Sequence, residues 1–215
     1  MFNSDDFPSL TSRFAMTATA TTGTHQRRRW SATDLALIAV FTAFVIVCSI
    51  LPGIPVGPLG VPITLQTFAV MTTALVLGGT RGGIAVVLYV VLGLIGLPVF
   101  SGFRGGIGVL AGPSAGYIIA FPIAAFVIGW AGYRILRARP KFTLLWLVVA
   151  SLASSLVIVH GLGILGMMIN AQLAFGAAVA ADAMYLPGDV IKTVVACAIA
   201  FAVHKAYGRF LTSHA

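Results

Sequence analysis

The sequence predicts an all-α bundle of six membrane-spanning helices, and three observations lead there. Charged residues make up 8% of the 215-residue chain, about a third of the share in an ordinary globular domain. Hydrophobic residues make up 59%, more than a domain of this size can hide from water, so much of the surface faces lipid. The apolar runs are separated by Pro and Gly, and none shows the alternation that the strands of a closed membrane barrel need.

Residues 1–29 are rich in Ser, Thr and Ala and end in Arg27-Arg28-Arg29. They hold too few large apolar groups to fold, so a disordered cytoplasmic tail is expected. The apolar run from Leu35 to Leu51 is long for a signal peptide, and no small-x-small cleavage pattern follows it, so it is read as a membrane helix. That first span covers 32–51 and stops at Pro52. The second, 63–77, opens after Pro62 and closes at Gly78-Gly79; the third, 84–97, ends at Pro98. Both are short against the roughly 20 residues a bilayer requires. They read either as tilted partners in a helical hairpin or as helices buried away from lipid. The fourth, fifth and sixth spans are 115–136, 142–166 and 187–207. The membrane domain is thus expected over 30–210, with a short cytoplasmic tail at 211–215.

The net charge of +8 would suggest nucleic acid in a soluble protein. Here the basic residues lie in short runs between apolar spans and report topology instead. With the amino terminus inside, 11 of the 13 basic residues become cytoplasmic: Arg13, Arg27, Arg28, Arg29, Arg81, Arg134, Arg137, Arg139, Lys141, Lys205 and Arg209. Both termini are then cytoplasmic. Arg104 and Lys192 remain outside, and topology does not account for them. With Asp189 they form a group of both signs near the outer face, which suggests a site for a small ligand.

Asp189 and Lys192 stand at i and i+3 and share a helix face behind Pro187-Gly188. A carboxylate accepts hydrogen bonds from ligand N–H groups, and an ammonium holds an anion. An ion pair that only locks the bundle is the alternative. The segment from Pro98 to Pro113 has five glycines in sixteen residues. It reads as a lid over a cavity, with Phe100 and Phe103 as apolar wall and Arg104 as a bidentate anion donor, or else as a plain connector. Gln66 is a neutral polar residue in the second span that bonds either a ligand or neighbouring backbone. Tyr117 is either a hydroxyl donor beside the lid or an interfacial anchor. His160 reads as an interhelical partner, while Asn170, Gln172 and Asp182 read as solvated. Cys48 and Cys197 lie in apolar stretches as small buried hydrophobes.

Other patterns fail. Gly161-Leu-Gly-Ile-Leu-Gly166 fits a dinucleotide fingerprint, but no strand precedes it, so it reads as close helix packing. There is no Walker sequence, no converging nucleophile and base, and no metal cluster. An enzyme, a cofactor and unaided ATP hydrolysis are therefore not expected. Ala32-xxx-Ala36 and Ala39-xxx-Ala43 place small residues along the first span, where another helix can approach, inside the bundle or from a partner.

The motifs Val61-Pro-Ile-Thr-Leu-Gln66, Leu94-Ile-Gly-Leu-Pro-Val-Phe100, Gly112-Pro-Ser-Ala-Gly-Tyr117 and Pro187-Gly-Asp-Val-Ile-Lys192 occur in this order. Together they resemble the BioY family, the biotin-binding S components of energy-coupling factor (ECF) transporters, over roughly 32–209. Residues 1–29 fall outside the resemblance. It implies six helices in the cytoplasmic membrane and a vitamin site near the outer face, capped by a loop. Asp189 would take the ureido N–H groups of biotin, and Lys192 would contribute to the polar site. Arg104 matches a lid position that is Asn in some members. Some members carry Arg just after the Tyr of the Gly-Tyr motif, where this chain has Ile118, so Arg104 is expected to clamp the carboxylate instead. Ala39 and Ala43 match the contact with the transmembrane coupling subunit, which joins two ATPase subunits. Rival readings are an S component for dethiobiotin or lipoate, or a solitary secondary transporter; no internal repeat favours the latter.

Overall fold

The computed structural model describes residues 30–55 and 61–207. The expected tails, 1–29 and 211–215, lie outside the described residues, as do Arg13, Arg27, Arg28, Arg29 and Arg209. Seven helices follow one another: α1 Ala32–Ile50, α2 Gln66–Leu94, α3 Ala115–Ala138, α4 Thr143–Ser154, α5 Gly161–Asn170, α6 Phe175–Ala183 and α7 Leu186–Ala206. A π-helical turn, Ser155–His160, fuses α4 to α5, and a 3-10 turn, Ile107–Ala111, lies ahead of α3. Among the described residues, five helical stretches are long and apolar enough to cross a membrane: α1, α2, α3, the fused Thr143–Asn170 and α7.

The second and third expected spans are the two halves of α2, which meet at Gly78. That residue has φ +79 and ψ 173 inside the helix, a conformation open to glycine and costly for a residue with a Cβ. The reversal is sharp: a Cβ on Gly82 would lie 2.8 Å from Ala74 Cα, whereas eight residues of straight helix would span about 12 Å. At the open ends of the two halves, Gln66 Nε2 donates to Tyr89 Oη at 2.7 Å. The halves therefore form a helical hairpin, the first of the two readings of these short spans. The second half resumes at Gly79 rather than at residue 84, because nothing between Gly79 and Gly83 breaks the helix.

α3 packs into this hairpin at glycines. A Cβ on Gly129 would sit 2.6 Å from Gly79 N, so two backbones touch where lipid-facing bundles place small residues. A second such crossing joins α3 to α5, where a Cβ on Gly166 would meet Gly116 N at 2.6 Å. The glycines of 161–166 thus serve close packing. α1 lies along the hairpin, with the Thr42 hydroxyl 3.0 Å from the Ala85 carbonyl oxygen. Asp34 near its start pairs with Arg81 near the hairpin tip. Near the same tip, His204 of α7 donates through Nε2 to Leu75 O at 2.9 Å. Cys48 and Cys197 are buried and free.

Two elements differ from expectation. Residues Ile54–Pro55 and Pro62–Ile63 pair as a two-residue antiparallel ribbon, β1 and β2, too short to show strand periodicity. α6 was not expected; at nine residues it is well below membrane-spanning length.

Candidate functional site

A cleft of about 640 Å³, mouth included, lies between the starts of α2, α3 and α7. β2 and the residues after it supply one wall (Pro62, Ile63, Thr64), and α2 adds Gln66 and Thr67. The loop before α3 contributes Phe100, Ser101 and Arg104, and α3 itself Tyr117, Ile118 and Phe121. Val61, Ser114, Val159 of the π turn, Tyr185, Asp189 and Lys192 complete the lining.

The polar wall is built on the first turns of α7. Pro187 suits a helix start because its missing N–H has no intrahelical partner there. Asp189 and Lys192 follow on one face, with Lys192 Nζ 2.8 Å from Asp189 Oδ1. Thr193 donates to the Asp189 carbonyl at 2.7 Å. The second carboxylate oxygen of Asp189 lies 3.5 Å from His160 Nε2. Opposite, the Tyr185 hydroxyl donates to Val61 O at 3.1 Å and ties β2 to the entrance of α7. Burial and the nearby Asp182 carboxylate raise the Tyr185 phenol above its ordinary pKa.

Six of the seven expected ligand-contact residues therefore converge: Asp189, Lys192, Arg104, Gln66, Phe100 and Tyr117. Phe100 is 2% exposed and packs edge-on against Tyr89, with ring centroids 5.5 Å apart. Its ring also occupies the space a side chain at position 93 would need, which explains Gly93. The Tyr89 hydroxyl, shared by Gln66 and Ser49, holds the Gln66 amide; a side chain rather than backbone is its partner. Arg104 is exposed at the cleft mouth, with Nε donating to Ser101 O at 3.1 Å.

Phe103 does not join them. Phe100 and Arg104 bridge as an antiparallel pair, and Phe103 sits in the tight turn between them at φ +55. That turn leaves its side chain 66% exposed and off the cleft lining.

Two residues expected to be solvated are not. Asp182 is 4% exposed: it accepts from Tyr117 Oη at 2.6 Å and has both oxygens 2.9 Å from His160 Nδ1. Asn170 is half-buried, and its Nδ2 donates to Leu110 O and Gly112 O, each at 2.9 Å, pinning the glycine-rich loop to the end of α5. Gln172 is exposed, as expected. The alanines of α1 at 32, 36, 39 and 43 are all exposed, so they do not pack inside the bundle. No group of His, Cys and carboxylate side chains suited to a metal occurs among the described residues.

Comparisons with known proteins agree with this architecture. The family model described as the BioY family matches residues 19–209, so the match takes in 19–29, which the sequence reading left outside. The biotin transporter BioY of Rhizobium etli is 37% identical, over 82% of this chain and 96% of its own length. The biotin transporter BioY of Thermotoga maritima is 39% identical, over 80% of this chain and 96% of its own. The crystal structure of the S-component for biotin from an ECF-type ABC transporter matches with a TM-score of 0.76 and 31% identity, covering 80% of this chain and 91% of that one. These relatives are transporters rather than enzymes, and this chain, with its five long apolar helices, is a multi-pass membrane protein. Sequence match and shared architecture together place the chain in the BioY family.

Proposed function

We propose that this protein captures biotin at the outer face of the cell membrane as the substrate-binding S component of an ECF transporter. The observation that carries this reading is the cleft itself. A carboxylate and ammonium fixed to each other, Asp189 and Lys192, share the lining with the apolar side chains of Phe100, Ile118 and Phe121. Biotin has matching parts: two ureido N–H donors, an apolar bicycle and a terminal carboxylate. Asp189 accepts the ureido N–H groups, with Lys192, Gln66 and Tyr117 completing the polar contacts. Ile118 contributes no charge, so the carboxylate falls to Arg104. That guanidinium uses one N–H on Ser101, which leaves a bidentate edge for an anion.

The two halves of α2 count as two crossings in this reading, which gives six in all, with both termini in the cytoplasm. The charge pattern supports it. Arg81, Arg134, Arg137, Arg139, Lys141 and Lys205 belong to the hairpin tip, the end of α3, the start of α4 and the end of α7. Arg104 and Lys192 belong to the cleft end. The exposed Ala39 and Ala43 then offer close approach to the coupling subunit, which joins two ATPase subunits; lipid covers the remaining apolar faces.

Equilibrium binding of labelled biotin to the purified protein in detergent, beside Asp189→Asn, tests the reading. Tight binding that falls to weak but still measurable affinity in the variant is expected, with dethiobiotin and lipoate competing poorly. A folded wild type that does not bind biotin overturns it. Arg104→Ala should weaken biotin more than biotin amide, and equal losses would remove the carboxylate clamp.

A further inference from the structure

A chain of polar side chains from four elements runs behind the cleft. Tyr117 of α3 donates to Asp182 Oδ1 at 2.6 Å. Asp182, in α6, accepts from His160 Nδ1 at 2.9 Å. His160, at the end of the π turn, turns Nε2 to within 3.5 Å of Asp189 Oδ2. Asp189, in α7, meets Lys192 at 2.8 Å through Oδ1. Asp182, His160 and Asp189 are 4%, 3% and 7% exposed.

Ionisable groups at such depth in an apolar bundle are costly, and their presence points to a function. Packing alone does not require them here, since α3 and α5 already meet backbone to backbone at Gly116 and Gly166. The local backbone favours a purpose as well. A π turn adds a residue to one helical turn and is common at functional sites. Here it directs Val159 to the cleft wall and His160 to the two carboxylates.

An ionised carboxylate only accepts, so the His160 nitrogen facing Asp182 carries a proton. That bond sets the plane of the imidazole and aims its other edge at Asp189; because Asp189 Oδ2 also only accepts, attraction there requires a proton on Nε2 too, so the ring faces the two carboxylates as a cation. Asp189 then has a neighbour at each oxygen, Lys192 at one and His160 at the other. A carboxylate hydrogen-bonded at Oδ1 by Lys192 and faced at Oδ2 by a charged imidazole 3.5 Å away favours one plane and offers its remaining lone pairs to the cleft in that direction.

We infer that His160 and Asp182 are positioning residues for ligand recognition: Asp182 orients His160, and His160 holds the Asp189 carboxylate in the plane that meets the N–H donors of the ligand. This rests on the reading above, in which Asp189 accepts the ureido N–H groups of biotin.

The test is equilibrium binding to the full chain in detergent, using biotin and a ureido N-methylated biotin. The variants are Asp182→Asn, His160→Gln, Asp189→Asn and the double variant Asp182→Asn/Asp189→Asn. Asp182→Asn and His160→Gln should each weaken biotin about tenfold, as coupled neighbours do. Both should weaken the methylated analogue less, so discrimination between the two ligands falls. In the Asp189→Asn background, Asp182→Asn should cost no more than about twofold. Equal losses in both backgrounds, or unchanged discrimination, would assign Asp182 and His160 to the bundle alone and overturn the inference. His160→Gln carries the same comparison of ligands should Asp182→Asn lose its folded form. If Asp189→Asn binds biotin as the wild type does, the site assignment fails first, and the inference falls with it.

Discussion

Tyr89→Phe removes one oxygen atom and tests the link between the α2 hairpin and the cleft. The Tyr89 ring is fully buried and stacked edge-on with Phe100, and Phe keeps both features. What goes is the hydroxyl that bonds Ser49 at 2.9 Å and Gln66 at 2.7 Å. Two stranded polar groups would cost about 2–6 kcal/mol if neither found another partner. Both can. A serine in a helix can turn its hydroxyl to the carbonyl four residues back, and Gln66 borders the cleft, where water reaches it. The net loss should therefore be close to that of two ordinary interhelical bonds in lipid, about 1–2 kcal/mol. With the scaling of globular domains of similar length, that lowers the melting temperature by roughly 3–6 °C. Thermal unfolding in detergent measures it, and biotin binding to the same variant should weaken several-fold, because the Gln66 amide is no longer held. A melting temperature within about 1 °C of wild type, with unchanged binding, would show that this hydroxyl does not bind the hairpin ends together.

Gly116→Ala drives a Cβ into the Leu162 carbonyl, a backbone atom that cannot rotate away; a loss above about 3 kcal/mol is expected. Gly176→Ala, with nothing within 4 Å, should change stability by less than about 1 kcal/mol in the same unfolding assay. Asn170→Ala frees the carbonyls of Leu110 and Gly112; faster proteolysis within 98–113 and a several-fold faster release of biotin should follow, at about 1–2 kcal/mol of stability. Asp34→Asn takes the carboxylate from Arg81, whose side chain is 11% exposed, and should cost about 3 kcal/mol. Replacing both by Leu should recover most of that loss, which denaturation of the two variants in detergent would show.

The membrane helices were legible because their signal is local. Hydropathy marks each apolar run, and Pro52, Pro62, Pro98 and Pro113 mark the breaks. The reversal at Gly78 was legible too, as two runs each too short to cross alone. α6 left no such signal: Phe175–Ala183 is Ala-rich and nine residues long, and composition does not separate a short buried helix from an external loop. The same holds for Phe100 and Phe103, which look alike in sequence. One is buried and the other exposed because a five-residue turn places them on opposite sides.

Asp182 shows where local reading ends. Its neighbours are alanines, and nothing within a helical turn of it bears a complementary charge. Its partners are His160 and Tyr117, 22 and 65 residues away in sequence. A count of the acids supplies the missing constraint. The chain has five acidic residues: Asp5 and Asp6 lie outside the described residues, and the other three belong to the bundle. Each buried carboxylate needs a partner there, because an isolated one in an apolar interior costs several kcal/mol. Arg81 serves Asp34 and Lys192 serves Asp189. The third carboxylate, Asp182, then needs a further donor, and among residues 115–207, Lys192 aside, His160 is the basic side chain that lies away from a helix end. The same argument applies to any nearly charge-free membrane domain: each carboxylate in it should be matched to a donor before it is assigned to solvent.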